Sequence, residues 1–127
     1  MNAETTIQKT FDSIRLQNYK NLECIVMDGN STDDTMRIVN KNLDIISKVV
    51  SEEDESGASA CNKAIGMSTG DIIGFMYADD YYENNSLEYI SRAVIENPNY
   101  DIYSYGLSIE DLYSEKVIFE SYSKKKY

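Results

Sequence analysis

Three clusters of carboxylate, amide and hydroxyl side chains in this chain have the types and spacing that chemistry requires. Asp79 and Asp80 close the apolar run Ile72 to Tyr77. Two adjacent carboxylates at the end of a strand suit a divalent cation that keeps several waters and takes its other ligands from phosphate oxygens. The same pair can serve as an acidic turn that caps the next segment. The octet Asp28-Gly29-Asn30-Ser31-Thr32-Asp33-Asp34-Thr35 follows a second apolar run. There a carboxylate at Asp28 can accept a base N–H, and the hydroxyl groups can line a ribose. A capped helix entered through a tight turn accounts for the octet equally well, with Gly29 permitting close backbone approach. The third cluster is the polar loop Ser51 to Gly57, which holds Glu52, Glu53, Asp54 and Glu55.

Charge favours a cation as intermediary for any anionic ligand. Twelve Lys and Arg stand against 22 Asp and Glu, a formal net charge of −10. Such a balance repels nucleic acid and anionic lipid, so no nucleic-acid partner is expected. The one basic run, Lys124-Lys125-Lys126, reads as a solvated tail. The chain has no His, which removes imidazole shuttles and His-based triads and zinc sites. Cys24 and Cys61 lack metal-ligand spacing and read as small core residues of a reducing compartment. No stretch approaches the ~18 apolar residues of a membrane span, and no signal region opens the chain. A cytoplasmic segment is expected, with a parent enzyme at the inner face of the membrane left open.

The elements that must position these clusters follow from periodicity. Ile7, Phe11 and Ile14 recur at helical spacing behind Thr5 and Thr6, either of which can cap. Leu22 to Met27 reads as a strand, and Ser31 with Asp34 as an imperfect capping box for a helix carrying Met36, Ile38 and Val39. Ile45 to Val50 is a second strand, Ala58 to Met67 a helix of small residues and Ile72 to Tyr77 a third strand. Ser86 to Asn97 is a helix that Pro98 stops. The tail offers a strand from Ile102 to Tyr105 and a hairpin from Leu107 to Tyr113 and Lys116 to Phe119, where Glu110 and Asp111 read as surface residues. Strands alternating with helices imply an α/β fold with a mainly parallel sheet, right-handed crossovers and helices on both faces. Ligands of such sheets bind beyond the carboxyl ends of the strands, where Asp28 and Asp79-Asp80 fall. One domain over 1–127 is expected.

Taken in order, Gln17-Asn18-Tyr19, the octet Asp28 to Thr35, Ser51-Glu52 with Asp54 and Gly57, Asn62-Lys63-Ala64, Thr69-Gly70-Asp71-Ile72-Ile73-Gly74-Phe75 and Ala78-Asp79-Asp80 resemble the donor domain of family 2 glycosyltransferases. The resemblance covers about 2–95 and leaves 99–127 as a strand-rich tail. It implies the three-layer, Rossmann-like GT-A fold and inverting transfer of a sugar from a nucleotide diphosphate sugar, with UDP the expected nucleotide, to an acceptor hydroxyl on a saccharide or lipid-linked acceptor. By that resemblance Asp28 contacts the base, Asn30, Ser31, Asp54 and Asn62 line the donor pocket, Asp79 lies near ribose or sugar, and Asp80 binds Mn²⁺ or Mg²⁺. Members of the family open with an apolar strand ending in Tyr-Asn or Phe-Asn. This chain opens on Met1-Asn2-Ala3-Glu4, as though that strand were missing, and Ala64 stands where a glycine is usual. The family's catalytic base lies beyond the metal motif and is not assigned. An open sheet edge near Leu22 to Met27 would invite a homodimer or the C-terminal hairpin. A noncatalytic nucleotide-binding or interaction module is the alternative reading.

Overall fold

A computed structural model describes residues 1–53, 56–103, 107–111 and 116–121, the last two ranges as backbone strands. Asp54 and the lysines at 124–126 lie outside the described residues. The chain forms two compact units, Met1–Ser86 and Leu87–Tyr127.

The first unit opens with α1, Ile7–Leu16. Ile7 and Phe11 are buried and Ile14 is half-buried, so the apolar stripe legible in the sequence is the face that packs. Thr6 occupies the N-cap position, but its side chain makes no cap hydrogen bond; the Thr6 and Ile7 amides donate instead to the Ala3 carbonyl. The helix ends where Asn18 takes a left-handed conformation at φ 48°, a conformation that asparagine tolerates better than most residues.

A β-α-β unit follows: β1 over Ile25–Asp28, α2 over Thr35–Lys41 and β2 over Lys48–Ser51. The strands are parallel, with Ile25 opposite Lys48 and Asp28 opposite Ser51. Both begin about three residues later than the apolar runs suggest. The Cys24 carbonyl accepts from the Ser47 and Lys48 amides, and the ladder starts only where the two segments come side by side. Outside it, Ile46 is drawn into the core instead. Lys48 is fixed by Glu23 at 2.8 Å and by the Met67 carbonyl at 2.6 Å. Glu23 also accepts from the Thr69 amide and hydroxyl, so it ties the turn after α3, Gly57–Met67, to the foot of the sheet. Ser56 caps α3 by accepting from the Ser59 amide at 3.2 Å.

The core is Ile7, Phe11, Val39 and Ile46, with Ile14, Cys24, Val26, Met36 and Val49 packed against it. It therefore lies among α1, α2 and the two strands. Where α1 meets the end of α2, buried Asn42 bonds the side chains of Gln8 and Arg15 and the Ile38 carbonyl.

The expected strand Ile72 to Tyr77 does not form. Strand geometry is held by a neighbour's ladder. Among the described residues β1 and β2 pair with each other and no strand lies against 72–77. Ile72, Ile73, Phe75 and Tyr77 are 50, 44, 58 and 71% exposed.

In the second unit, α4 runs Ser86–Glu96 and stops ahead of Pro98, as expected, with the Asn97 amide and side chain both donating to the Ala93 carbonyl. Ile102 and Tyr103 are not in a strand; Tyr103 donates its hydroxyl to the Asn97 carbonyl at 2.7 Å and packs edge-on against Tyr100. The expected hairpin is present as β3, Leu107–Asp111, antiparallel to β4, Lys116–Ser121, with a register irregularity between Ile109 and Glu110.

Phe11 is 3% exposed at the centre of the small core. Phe11→Ala should cost about 3–5 kcal/mol, a large part of the stability of a domain this size. Urea unfolding with an unchanged m-value and midpoint would contradict this placement of the core.

Candidate functional site

Asp28 ends β1 and is 4% exposed. A carboxylate buried to that degree must collect donors. The Ser31 amide donates to Oδ2 at 2.9 Å, the Ser51 hydroxyl donates to Oδ2 at 2.6 Å, and the Ser31 hydroxyl makes a short bond to Oδ1. Burial pushes the carboxyl pKa up, but the hydrogen bonds from Ser31 and Ser51 outweigh it and hold Asp28 below the usual aspartate range. Its backbone carbonyl accepts from the Glu52 amide at 3.0 Å, so one residue ties β1, the octet and the exit of β2. Glu52 in turn pairs with Lys63 of α3 at 2.6 Å. A carboxylate offers about four lone-pair sites. Three are engaged by Ser31 and Ser51, so the acceptor capacity of the carboxylate is not filled by the chain.

The octet differs from the capped helix it suggests. Ser31 does not cap α2: its amide and hydroxyl donate to Asp28, and its Oγ accepts from the Asn2 amide rather than from an amide of the helix. α2 begins at Thr35, whose amide donates to the Asp33 carboxylate at 3.0 Å. The left-handed residue of the turn is Asn30 at φ 61°, not Gly29. Asn30 is exposed at the apex.

The opening residues, which sequence reasoning treated only as the point where a strand was missing, clasp this loop. The Asn2 amide donates to Ser31 Oγ at 2.8 Å and the Thr32 amide returns a bond to Asn2 Oδ1 at 2.9 Å. Glu4 repeats the exchange: its amide donates to Asp33 at 3.1 Å and its carboxylate accepts from the Asp34 amide at 2.9 Å. Between them the Ala3 amide donates to Thr35 Oγ1 at 2.7 Å. Asn2 adopts φ 54°, the conformation that lets an asparagine face the loop with both its amide and its side chain.

Asp79 and Asp80 lie in the turn 77–80 and are both exposed. Asp80 accepts from the Tyr77 amide at 3.0 Å through Oδ2, and its own amide donates to the Tyr77 carbonyl at 3.1 Å, which closes the turn. Asp80 Oδ1 and both oxygens of Asp79 face no protein donor among the described residues. No group of three or more His, Cys, Asp or Glu side chains converges there among the described residues. This donor set fits a cation that takes one or two carboxylates and fills its remaining positions with water and phosphate oxygens. Asn62 is exposed on α3, in the turn of helix that also carries Lys63, and Asp54 lies outside the described residues. A shallow cavity of about 330 Å³ is found elsewhere, between the end of α1 and 44–47.

The structure therefore attaches both acidic loops to α1. Ala3 meets Thr35 just ahead of the helix, and Thr10 meets the carbonyls of Ala78 and Asp80 two turns on. The two attachments lie seven residues apart in the sequence, one in the segment that leads into α1 and one on the helix itself. Sequence reasoning missed Thr10, Ser13, Asn2 and Glu4. The signal for the first two was present, since Thr10, Ser13 and Gln17 repeat at i, i+3 and i+7 beside the apolar stripe.

A parallel β-α-β unit with a carboxylate loop beyond the end of β1 defines an α/β protein of the Rossmann-like class. The chain belongs to glycosyl transferase family 2, whose description it matches over residues 1–117, and its fold is the GT-A fold of that family. It is 38% identical over 84 residues to the UDP-Glc:alpha-D-GlcNAc-diphosphoundecaprenol beta-1,3-glucosyltransferase WfaP of Escherichia coli, covering 64% of this chain and 33% of the relative. It is 32% identical over 97 residues to the amylovoran biosynthesis glycosyltransferase AmsB of Erwinia amylovora, covering 68% and 31%. Glycosyltransferase GlyA of Streptococcus pneumoniae serotype 4 is 28% identical over 134 residues, covering 99% of the chain and 19% of the relative. The chain thus spans about a third or less of the length of these relatives. No helix among the described residues is long and apolar enough to cross a membrane.

A folded-state pKa held below its unfolded value contributes stability that is complete above about pH 4 and is lost as pH falls through the lower folded value. Asp28→Asn should therefore be about 1–3 kcal/mol less stable than the wild type at pH 7, the range for hydrogen bonds to a buried charge. The gap should begin to narrow below about pH 4 and close as pH falls through the lower folded value. Glu23, Asp33 and Asp34 are shifted the same way but are common to both proteins and cancel in the difference. Urea midpoints at pH 7 and pH 3 check this, and a gap independent of pH would exclude Asp28 as its source.

Proposed function

We propose that this chain is the donor-binding part of a metal-dependent, inverting glycosyltransferase of polysaccharide or glycoconjugate synthesis. The observation that carries this is the division of labour between the two loops. Asp28 is buried, ionised and not filled as an acceptor by the chain, whereas Asp79 and Asp80 are exposed with free oxygens. A nucleotide diphosphate sugar needs both: an acceptor for the base N–H at one end and a cation at the diphosphate. A UDP-sugar is the first choice of donor, because uracil offers an imide N–H to the unfilled acceptor capacity of Asp28 and because the WfaP relative is named for UDP-Glc. The same name makes a lipid-linked diphosphate saccharide the acceptor class to test.

Asp80 would hold Mn²⁺ or Mg²⁺ with Asp79 beside it, and Asn30, Ser31, Asp54 and Asn62 would line the donor pocket. The bound cation would neutralise charge that grows on the departing diphosphate. In the transfer the acceptor oxygen bonds to the anomeric carbon, the carbon–oxygen bond to the diphosphate breaks, and a base takes the hydroxyl proton. The chain's own contribution is to fix the base end through Asp28 and Ser31 and the phosphate end through the turn 77–80.

Asp80→Asn should abolish the Mn²⁺-dependent part of UDP affinity, a loss of tenfold or more, and leave UMP affinity without metal unchanged. Asp28→Ala should weaken UDP and UMP alike, because a base contact does not involve the second phosphate. Calorimetric titrations with and without Mn²⁺ separate the two. Undiminished Mn²⁺-dependent UDP binding by Asp80→Asn would remove Asp80 from the site, and donor hydrolysis assays with a panel of UDP- and GDP-sugars would test the choice of nucleotide.

A further inference from the structure

Among the described residues the segment 72–77 makes no ladder hydrogen bonds, and no strand of theirs holds the turn 77–80 that follows it. α1 does. Thr10 Oγ1 lies 2.7 Å from the Asp80 carbonyl and 3.1 Å from the Ala78 carbonyl, and its single proton is shared between them. Ser13 Oγ accepts from the Tyr82 amide at 3.0 Å while donating to the Thr10 carbonyl at 2.8 Å. Gln17 Nε2, one turn on, donates to the Glu83 carbonyl at 3.0 Å. Thr10 and Ser13 are 6 and 5% exposed, positions where an apolar side chain would ordinarily pack. A buried helical hydroxyl normally bonds back to its own helix. Thr10 instead reaches across to a loop 68 to 70 residues away. Every atom it and Ser13 grip in that loop is backbone, and both aspartate side chains remain exposed.

We propose that Thr10 and Ser13 are positioning residues for the acidic turn: they fix the backbone of residues 78–82 so that Asp79 and Asp80 stand at a set place relative to the Asp28 loop, which the residues leading into the same helix clasp. Their bearing on metal and diphosphate rests on the donor-site reading above; their hold on the turn does not.

Thr10→Val keeps the shape and removes the hydroxyl, Ser13→Ala removes the acceptor for Tyr82, and Thr10→Ser restores the O–H. Amide hydrogen exchange without nucleotide should show residues 78–82 exchanging at least tenfold faster in Thr10→Val and Ser13→Ala. Amides of α2 should be unchanged, and Thr10→Ser should return to wild-type rates. In titrations the two variants should lose about tenfold in Mn²⁺-dependent UDP affinity, equivalent to about 1.4 kcal/mol, with UMP affinity within twofold of wild type. Unchanged exchange across 78–82 in both variants would overturn the proposal. So would UDP and UMP affinities that fall together, since that is the mark of general destabilisation. A wild-type protein that binds no nucleotide would instead sink the donor-site reading and leave the exchange result to judge the turn.

Discussion

A carboxylate can be buried at the end of a strand only if donors are brought to it, and at Asp28 this requirement organises the surrounding chain. The Ser31 amide and hydroxyl come back from the octet, and the Ser51 hydroxyl comes from the neighbouring strand. The turn into α2 and the end of the β1–β2 ladder are thereby fixed by the same two oxygens. Leaving any of these donors unmatched, or the carboxylate uncompensated, costs more than a typical intramolecular hydrogen bond contributes. Loop conformation and strand register are therefore coupled at this point.

Around that point the molecule uses its acidic residues in two ways. Glu4, Glu23, Asp28 and Asp33 face protein donors, chiefly backbone amides and hydroxyls, and act as structural acceptors between segments distant in sequence. Asp79 and Asp80 face solvent and keep oxygens free. The distinction matters for a chain with net charge −10, because the structural acceptors are already matched by protein donors and the outward pair is not fully so. Exposed pairs such as Arg37–Asp34 and Arg92–Glu88 contribute little beside these.

α1 is the common support. Its apolar stripe of Ile7 and Phe11 packs into the core, its leading residues Asn2 to Glu4 grip the octet, and its polar stripe grips the acidic turn. The acidic turn is thus held by the helix itself and the octet by the short segment that leads into it. The absence of strand pairing at 72–77 makes that support matter more.

The helices, the β-α-β order and the candidate acidic residues were legible in the sequence, because each rests on local signals: the 3.6-residue recurrence of Ile7, Phe11 and Ile14, the apolar runs before Asp28 and Asp79, and Pro98 behind α4. The family followed from the order of short motifs. What those signals do not contain is partnership. Ile72 to Tyr77 has every strand-forming residue type, yet a strand exists only beside another, and no property of the segment says whether one is there. Ser31 has the residue type and spacing of a cap, but its hydroxyl is turned to Asp28 and its oxygen accepts from the Asn2 amide, a partner that only the folded chain supplies. Thr10 shows a local signal in its repeat with Ser13 and Gln17 beside the apolar stripe, but nothing local names its partner, because the atoms it meets are carbonyls some seventy residues away that only the folded chain brings within reach.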